Sequence, residues 1–133
     1  MKGDKVKYVS SGNVVNMTLE GFRNKSKIYW GVFGLNSAGL SAVFAILKSS
    51  SLQIKYSALF FLFGIVLILR CLCVNGNALN KYRNGLICSE VDDEETEKEY
   101  LTEGSCCVKR ANIFFVLSIA LFLVGCVFTM IGL

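Results

Sequence analysis

Three long apolar runs constrain this chain more than any other feature of its sequence. A helix needs around 20 residues to cross a hydrocarbon core about 30 Å thick, and residues 28–47, 56–74 and 111–133 form runs of about that length. Hydrophobic residues make up 53% of the 133 and charged residues 18%, whereas a soluble domain carries roughly 25% charged residues. An open sheet would leave backbone groups without partners in lipid. We therefore expect an all-α integral membrane protein with three transmembrane helices.

The first run also has to be compared with a cleaved signal peptide. The 27 residues before it are too many and too polar for the leading region of a signal peptide, and the run is longer than the apolar core of one. We therefore interpret residues 28–47, 56–74 and 111–133 as transmembrane helices 1, 2 and 3. Arg70 lies close enough to the end of helix 2 for its side chain to reach the headgroups.

Basic residues near the runs predict the orientation of the chain in the membrane. Residues 1–27 contain six basic residues and residues 75–110 contain five, whereas residues 48–55 contain two. Basic residues concentrate in cytoplasmic segments. We therefore expect a cytoplasmic basic arm at 1–27, a short external turn at 48–55, a cytoplasmic loop at 75–110 and an external C-terminus.

Acidic residues are concentrated in one part of the predicted loop. Eight acids lie between residues 90 and 103, with Lys98 as the one basic residue among them. Ser89 and Asp92 have the spacing of a helix start and Gly104 supplies a stop, which predicts a short acidic helix. We also expect a break in the chain at Asn75 and Gly76. The acidic segment is either a solvated connector or a docking site for a basic partner, the basic arm or a neighbouring subunit. The candidate docking residues are Asp92, Asp93, Glu94 and Glu95.

The basic arm carries apolar residues at helical spacing: Val14, Val15, Thr18, Leu19 and Phe22. This pattern predicts a short amphipathic helix, which lies either in the headgroup layer or against the protein's own loop. Basic residues near the membrane are candidate contacts with anionic lipid or a partner. They are Arg23, Lys25, Lys27, Arg70, Lys81, Arg83, Lys109 and Arg110.

The first run differs from the other two in its small and polar residues. Two sets recur at a spacing of four: Gly34, Ala38 and Ala42, and Ser37, Ser41 and Ala45. In lipid, such a face permits the close approach of another helix. We expect helix 1 to be the central helix and to mediate self-association or contact with other membrane subunits, with helices 2 and 3 peripheral. We recognise no heptad repeat in the chain.

Asn36 lies near the middle of the first run, where a buried carboxamide needs a hydrogen-bonding partner. It either forms an interhelical hydrogen bond, within or between chains, or lines a narrow water-containing path in an oligomer. The candidate residues for helix packing or pore lining are Gly34, Asn36, Ser37, Ala38, Ser41 and Ala42.

The sequence offers little for catalysis or cofactor binding. It contains no histidine, which is the commonest general base and metal ligand. The cysteine pairs Cys71 and Cys73, and Cys106 and Cys107, lack the usual gap of zinc ligands. We expect reduced thiols, with palmitoylation beside the membrane as the alternative. We therefore expect no catalytic residue, no metal, no cofactor and no nucleic-acid partner.

These observations predict a non-enzymatic polytopic membrane protein. The interpretation that we favour is a homo-oligomeric channel-like or pore-forming membrane component, because Asn36 lies on a small-residue helix next to two oppositely charged cytoplasmic segments. The alternative is a structural or accessory subunit that packs against other proteins in a larger membrane complex. A membrane enzyme ranks third, since it would need intramembrane acids, histidine or a metal cluster.

Overall fold

The computed structural model describes residues 3–46, 52–90 and 93–132, which are helical throughout except at Asp93. The helices are α1 (Gly3–Ile46), α2 (Leu52–Glu90) and α3 (Glu94–Gly132). Each contains a stretch that is long and apolar enough to cross a membrane. The described chain is therefore all-helical, with three helices that fit a membrane-spanning protein.

All three helices are longer than a bilayer requires. α2 and α3 each contain 39 residues, which corresponds to about 58 Å of helix, against about 30 Å for the hydrocarbon core. The polar parts stay packed together, since the Phe22 and Tyr82 rings lie 5.6 Å apart. We call residues 3–27, 75–90 and 94–110 the stalk. The stalk continues the helices beyond their apolar runs.

Three local expectations about the polar segments are wrong. α2 continues through Asn75 and Gly76 without a break, because Asn75 is buried and its Nδ2 donates to Ser26 Oγ at 3.3 Å. The acidic helix does not start at Ser89 and Asp92 as expected. It starts at Glu94, the first residue of α3, where the Asp93 carboxylate caps the helix by accepting a hydrogen bond from Thr96 N at 3.3 Å. Gly104 does not end this helix.

Gly104 lies inside α3 and is buried against α2. A Cβ at this position would lie 3.1 Å from the Tyr82 ring, so the glycine makes room for the ring. The expected acidic helix is therefore the beginning of α3, and the predicted loop is a helical hairpin. Asp92 and residues 48–51 of the expected external turn lie outside the described residues.

α2 and α3 pack along an antiparallel ladder of small residues. On each helix a small, buried residue recurs every seven positions: Ser57, Gly64, Cys71, Ala78 and Gly85 on α2, and Gly104, Ala111, Ser118 and Gly125 on α3. We call the eight of them other than Gly85, which pair across the two helices, the small-residue ladder. A seven-residue repeat of buried positions is the pattern of left-handed coiled coils, and small residues let two backbones approach closely in lipid. The expectation that the chain has no heptad repeat is therefore wrong.

Hydrogen bonds fix the register of the ladder. In each, a polar member donates to the backbone carbonyl of the member opposite: Ser57 Oγ to Gly125 O at 2.7 Å, Ser118 Oγ to Gly64 O at 2.9 Å, and Cys71 Sγ to Ala111 O at 3.1 Å. The residue numbers in each pair have the same sum, which is the signature of one continuous antiparallel register. The same register places Ala78 opposite Gly104.

α1 packs on this pair mainly through α2. Its buried side chains form one stripe: Phe22, Tyr29, Val32, Asn36 and Val43. α2 makes extensive contacts with both neighbours, whereas α1 and α3 meet much less. For the single chain, the expectation that helix 1 is central is therefore wrong. Its small residues at a spacing of four are exposed, except for the half-buried Ser37, whereas the ladder residues of α2 and α3 are buried.

Candidate functional site

The buried centre of the bundle is a polar layer with one residue from each helix. Asn36 is fully buried, and its Nδ2 donates to Val32 O at 3.0 Å and to Ser118 Oγ at 3.4 Å. Ser118 Oγ in turn donates to Gly64 O. The Asn36 Oδ1 has no hydrogen-bond partner among the described residues. It lies against Gly64, where an added Cβ would overlap it.

This layer determines what Asn36 can do. The carboxamide forms a hydrogen bond from α1 to α3 within one chain. Gly64, which belongs to α2, packs against its oxygen atom. A group that is fully buried in its own bundle is not available at the surface between chains. In this geometry Asn36 therefore acts in interhelical hydrogen bonding, which is one of the two uses that the sequence leaves open.

Most of the other small residues of the first run lie on the opposite side of α1, whereas Gly39 faces Phe61 of α2. Gly34 and Ala38 are each two positions from Asn36, which is about 200° around a helix. The exposed small residues on this side are Gly31, Gly34, Ala38, Ser41, Ala42 and Ala45. We call them the outer small face. It points away from α2 and α3, and a Cβ at Gly31 or Gly34 would meet nothing within 4 Å.

Bulky side chains border the outer small face on both sides. Trp30, Leu35 and Phe44 are all more than half exposed, at 56%, 54% and 63%. The face is therefore a shallow groove along the helix rather than a smooth surface. It contains no ionisable group. What this arrangement can do is accept the backbone or side chains of another helix.

The structure divides the predicted packing residues into two groups. Gly34, Ala38, Ser41 and Ala42 lie together on the outer small face, Asn36 lies inside the bundle, and Ser37 is half-buried between the two sides. Ser41 Oγ donates to Ser37 O at 2.9 Å, a bond within α1. Gly31, at the end of the face nearest the stalk, joins these residues, while the whole small-residue ladder was missed by sequence reasoning. The signal that could have found the ladder is the spacing of seven between small residues in both segments, with the two segments aligned antiparallel.

The predicted charged residues lie on the stalk and at its junction with the apolar runs. Lys81 forms an ion pair with Glu103 between α2 and α3, and this hydrogen-bonded carboxylate raises the pKa of Lys81 above its ordinary value. Asp93 caps α3, and Glu94 and Glu95 are exposed in its first turn. Their place near the positive end of the helix dipole is favourable. A docking role for them stays a prediction.

The six cysteines differ in their exposure and are all free thiols. Cys71 is buried in the ladder, Cys73 and Cys106 are exposed, and Cys88, Cys107 and Cys126 are half-buried. Among the described residues, no group of three or more histidines, cysteines or acids is placed to hold a metal ion.

Comparison of the chain with protein-family models, with curated proteins and with solved structures finds no match to any of them.

Proposed function

We propose that this chain is a non-enzymatic membrane protein whose copies assemble through α1 into a homo-oligomeric, channel-like membrane component. The observation that carries the proposal is the outer small face, where six small residues turn away from the chain's own bundle. In lipid, helices associate by close packing and interhelical hydrogen bonds rather than by exclusion of water. A groove of small residues between Trp30 and Leu35 is suited to that packing.

The assembly partner in this proposal is a second copy of α1. Gly34, Ala38 and Ala42 repeat at the spacing of the small-xxx-small motifs through which identical helices cross at close range. Two outer small faces are complementary to each other, because neither has side-chain bulk to clash with the other. The bordering residues Trp30 and Phe44 would then pack beside the crossing point.

The channel-like part of the proposal places several outer small faces around a common axis. Asn36 has no part in lining this path, since it lies inside its own bundle. The polar side chains on or beside the face are Ser37 and Ser41. The Ser41 hydroxyl donates its proton within α1 and keeps its lone pairs for an incoming donor.

The alternative is an accessory subunit whose outer small face packs against a helix of a different protein. The stalk supports this candidate, because it extends helices beyond the apolar runs and exposes acids such as Glu94 and Glu95 at its far end. A partner with a basic segment outside the membrane would meet them there. In both candidates we place the stalk in the cytoplasm, so that Cys88 reacts with thiol reagents from that side only.

Particle mass in mild detergent tests the assembly. Ala38→Leu fills the outer small face, and Ala120→Leu is the matched control, since Ala120 is an exposed alanine on α3. We expect one discrete oligomer for the wild type and for Ala120→Leu, and a monomer for Ala38→Leu. An unchanged mass in Ala38→Leu would overturn assembly through this face. A wild-type monomer that is stable only with other subunits would favour the accessory role.

Ion flux through reconstituted vesicles tests the channel-like part separately. We expect flux for the wild type and for Ala120→Leu, and a reduced flux for Ser41→Ala, which removes a hydroxyl from the path without adding bulk to the outer small face. An oligomer of the right mass without flux would remove the channel and leave the assembly. Flux that is equal in all three proteins would place the path elsewhere in the molecule.

A further inference from the structure

Basic residues surround the bundle where the apolar runs meet the stalk. They come from all three helices, and all are exposed except Lys25, which is half-buried: Arg23, Lys25, Lys27, Arg70, Lys109 and Arg110. We call these six residues the basic collar. Lys81 and Arg83 do not belong to it, because they lie further out along the stalk.

Contacts between the helices place the collar residues of α1, α2 and α3 at a similar position along the bundle axis. Asn75 Nδ2 donates to Ser26 Oγ at 3.3 Å, and Cys71 Sγ donates to Ala111 O at 3.1 Å. Ser26, Cys71 and Ala111 are each directly next to a collar residue in the sequence. The positive charges of α1, α2 and α3 therefore form a band around the bundle rather than a patch on one helix.

Acidic residues are largely separated from this band. On α3 the nearest acid is Glu103, which pairs with Lys81. Glu99 and the acids before it are 10 or more residues from Lys109, the first collar residue on α3, which is roughly 15 Å or more along the helix. That exceeds the Debye length of about 10 Å at 0.1 M salt. On α1, Glu20 is the one described acid near the collar, three residues before Arg23.

Apolar side chains continue directly from the collar into the membrane. Ile28, Leu69 and Ile113 are 56%, 42% and 58% exposed, and each lies within three residues of a collar residue. A ligand that fits both features has an anionic head at the height of the collar and an apolar chain beside these residues. A free phosphate ion would match the basic collar but would leave the exposed apolar residues beside it without a ligand.

We propose that the basic collar binds the anionic headgroups of phospholipids in the leaflet next to the stalk, with their acyl chains along the exposed apolar residues below it. Arginine guanidinium groups bind phosphate oxygens in a fork geometry, and lysines add point charges. Lysine and arginine near an anionic membrane surface each strengthen the association about fivefold. Three of the six collar residues, Arg70, Lys109 and Arg110, lie on α2 and α3, so the collar extends beyond the α1 surface of the proposed assembly.

Trp30 is a built-in reporter of lipids at the collar. It is the single tryptophan of the sequence, lies three residues after Lys27 and is exposed. Brominated acyl chains quench tryptophan fluorescence on contact, so the protein is reconstituted into phosphatidylcholine vesicles that contain either brominated phosphatidylglycerol or brominated phosphatidylcholine. The ratio of the two quenching curves gives the relative association of the anionic and neutral lipids near Trp30.

We expect the wild type to favour phosphatidylglycerol by about fivefold or more. The double variant Arg23→Gln, Lys27→Gln should bring the ratio close to one. Lys55→Gln is the matched control, since Lys55 is an exposed lysine at the other end of α2, and it should keep the wild-type ratio. Equal quenching by both lipids in the wild type, or an unchanged ratio in the double variant, overturns the proposal.

Two further measurements use the wild type alone, so that they do not depend on whether the double variant inserts correctly into vesicles. They also distinguish a lipid phosphate from a free phosphate ion. Raising the salt concentration from ~50 to ~500 mM around the wild type should lower the ratio severalfold, because exposed charges are screened. A ratio that ignores salt contradicts an electrostatic collar. Inorganic phosphate at matched ionic strength should leave the ratio unchanged. If inorganic phosphate alone lowers the quenching ratio to about one, the collar binds a free anion rather than a lipid headgroup.

Discussion

α1 and α3 both carry small residues through their apolar runs, but they use them on opposite sides. On α3, Ala111, Ser118 and Gly125 are buried against α2, whereas on α1, Gly34 and Ala38 face away from the bundle. The difference follows from spacing. A repeat of seven keeps residues on the line along which left-handed helix pairs touch, and a repeat of four matches the right-handed crossings of small-xxx-small pairs.

This comparison separates two kinds of small residue in a membrane helix. The small-residue ladder is closed, since its members contact each other and donate to the opposite backbone. The outer small face is open, and the bundle gives it no neighbour at Gly31 or Gly34. The two surfaces therefore predict different responses to the same substitution: ladder variants lose the fold of the single chain, and face variants lose only assembly.

Added bulk at the polar layer gives the largest expected effect. Gly64→Leu forces a side chain into the space of Asn36, where even a Cβ would lie 2.9 Å from the Asn36 Cγ. We expect a loss of about 3 kcal/mol or more in the free energy of unfolding. Gly34→Leu, in open space, should not destabilise the monomer. SDS unfolding titrations of both variants, followed by circular dichroism in micelles, measure the difference. Similar losses in the two would refute the distinction between closed and open surfaces.

Removal of a buried ring gives the next largest effect. Phe61 is buried at the junction of the three helices, where a Cβ at Gly39 would lie 2.6 Å from its ring and one at Gly125 would lie 3.0 Å from it. Phe61→Ala leaves a cavity between two glycines, and we expect a loss of about 3 kcal/mol. Phe44→Ala is the control, since Phe44 is 63% exposed on α1, and should change stability by less than about 0.5 kcal/mol. A stable Phe61→Ala would show that α1 is held elsewhere.

The amino-acid sequence is sufficient to predict the helical class and the three apolar spans, because the length and polarity of a membrane helix are fixed by the bilayer. It is also sufficient to single out Asn36 and the small residues around it. It misleads at Asn75, Gly76 and Gly104, where residues typical of breaks in water lie inside long helices. There, tertiary contacts such as Asn75 with Ser26 and Gly104 with Tyr82 outweigh local helix propensity.

Which side of each helix is buried in the bundle is harder to predict from sequence. The small residues of α1 are conspicuous because they are close together, while those of the ladder are diluted among Leu, Ile, Val and Phe. The seven-residue period becomes meaningful only when α2 and α3 are aligned antiparallel, so that Ser57 meets Gly125 and Cys71 meets Ala111. Two helices have to be considered together before either pattern indicates an interface.

Loss of one ladder hydrogen bond has a smaller expected effect. Ser57 Oγ donates to Gly125 O at 2.7 Å and lies 2.6 Å from Thr129 Oγ1, all between α2 and α3. We expect Ser57→Ala to lower the free energy of unfolding by about 1 kcal/mol, within the range measured for hydrogen bonds in membrane proteins. Ser41→Ala removes a hydrogen bond within α1 only and should have no effect in the monomer. The same titration in micelles compares them, and equal effects would mean that the interhelical bond adds nothing to stability.

The ion pair on the stalk should have the smallest effect on stability. Lys81 and Glu103 are both solvent-accessible, and exposed pairs contribute little. Because Glu103 raises the pKa of Lys81, the attraction is present at neutral pH and is lost as the pH rises through the folded-state pKa of Lys81. An NMR titration of the Lys81 side chain should show a lower midpoint in Glu103→Gln and no change in Glu99→Gln. The stalk should stay folded in both variants, because Tyr82 still packs against Gly104 and Phe22. If Glu103→Gln separates α2 from α3 in the stalk, then charge rather than the small-residue ladder holds the hairpin together outside the membrane.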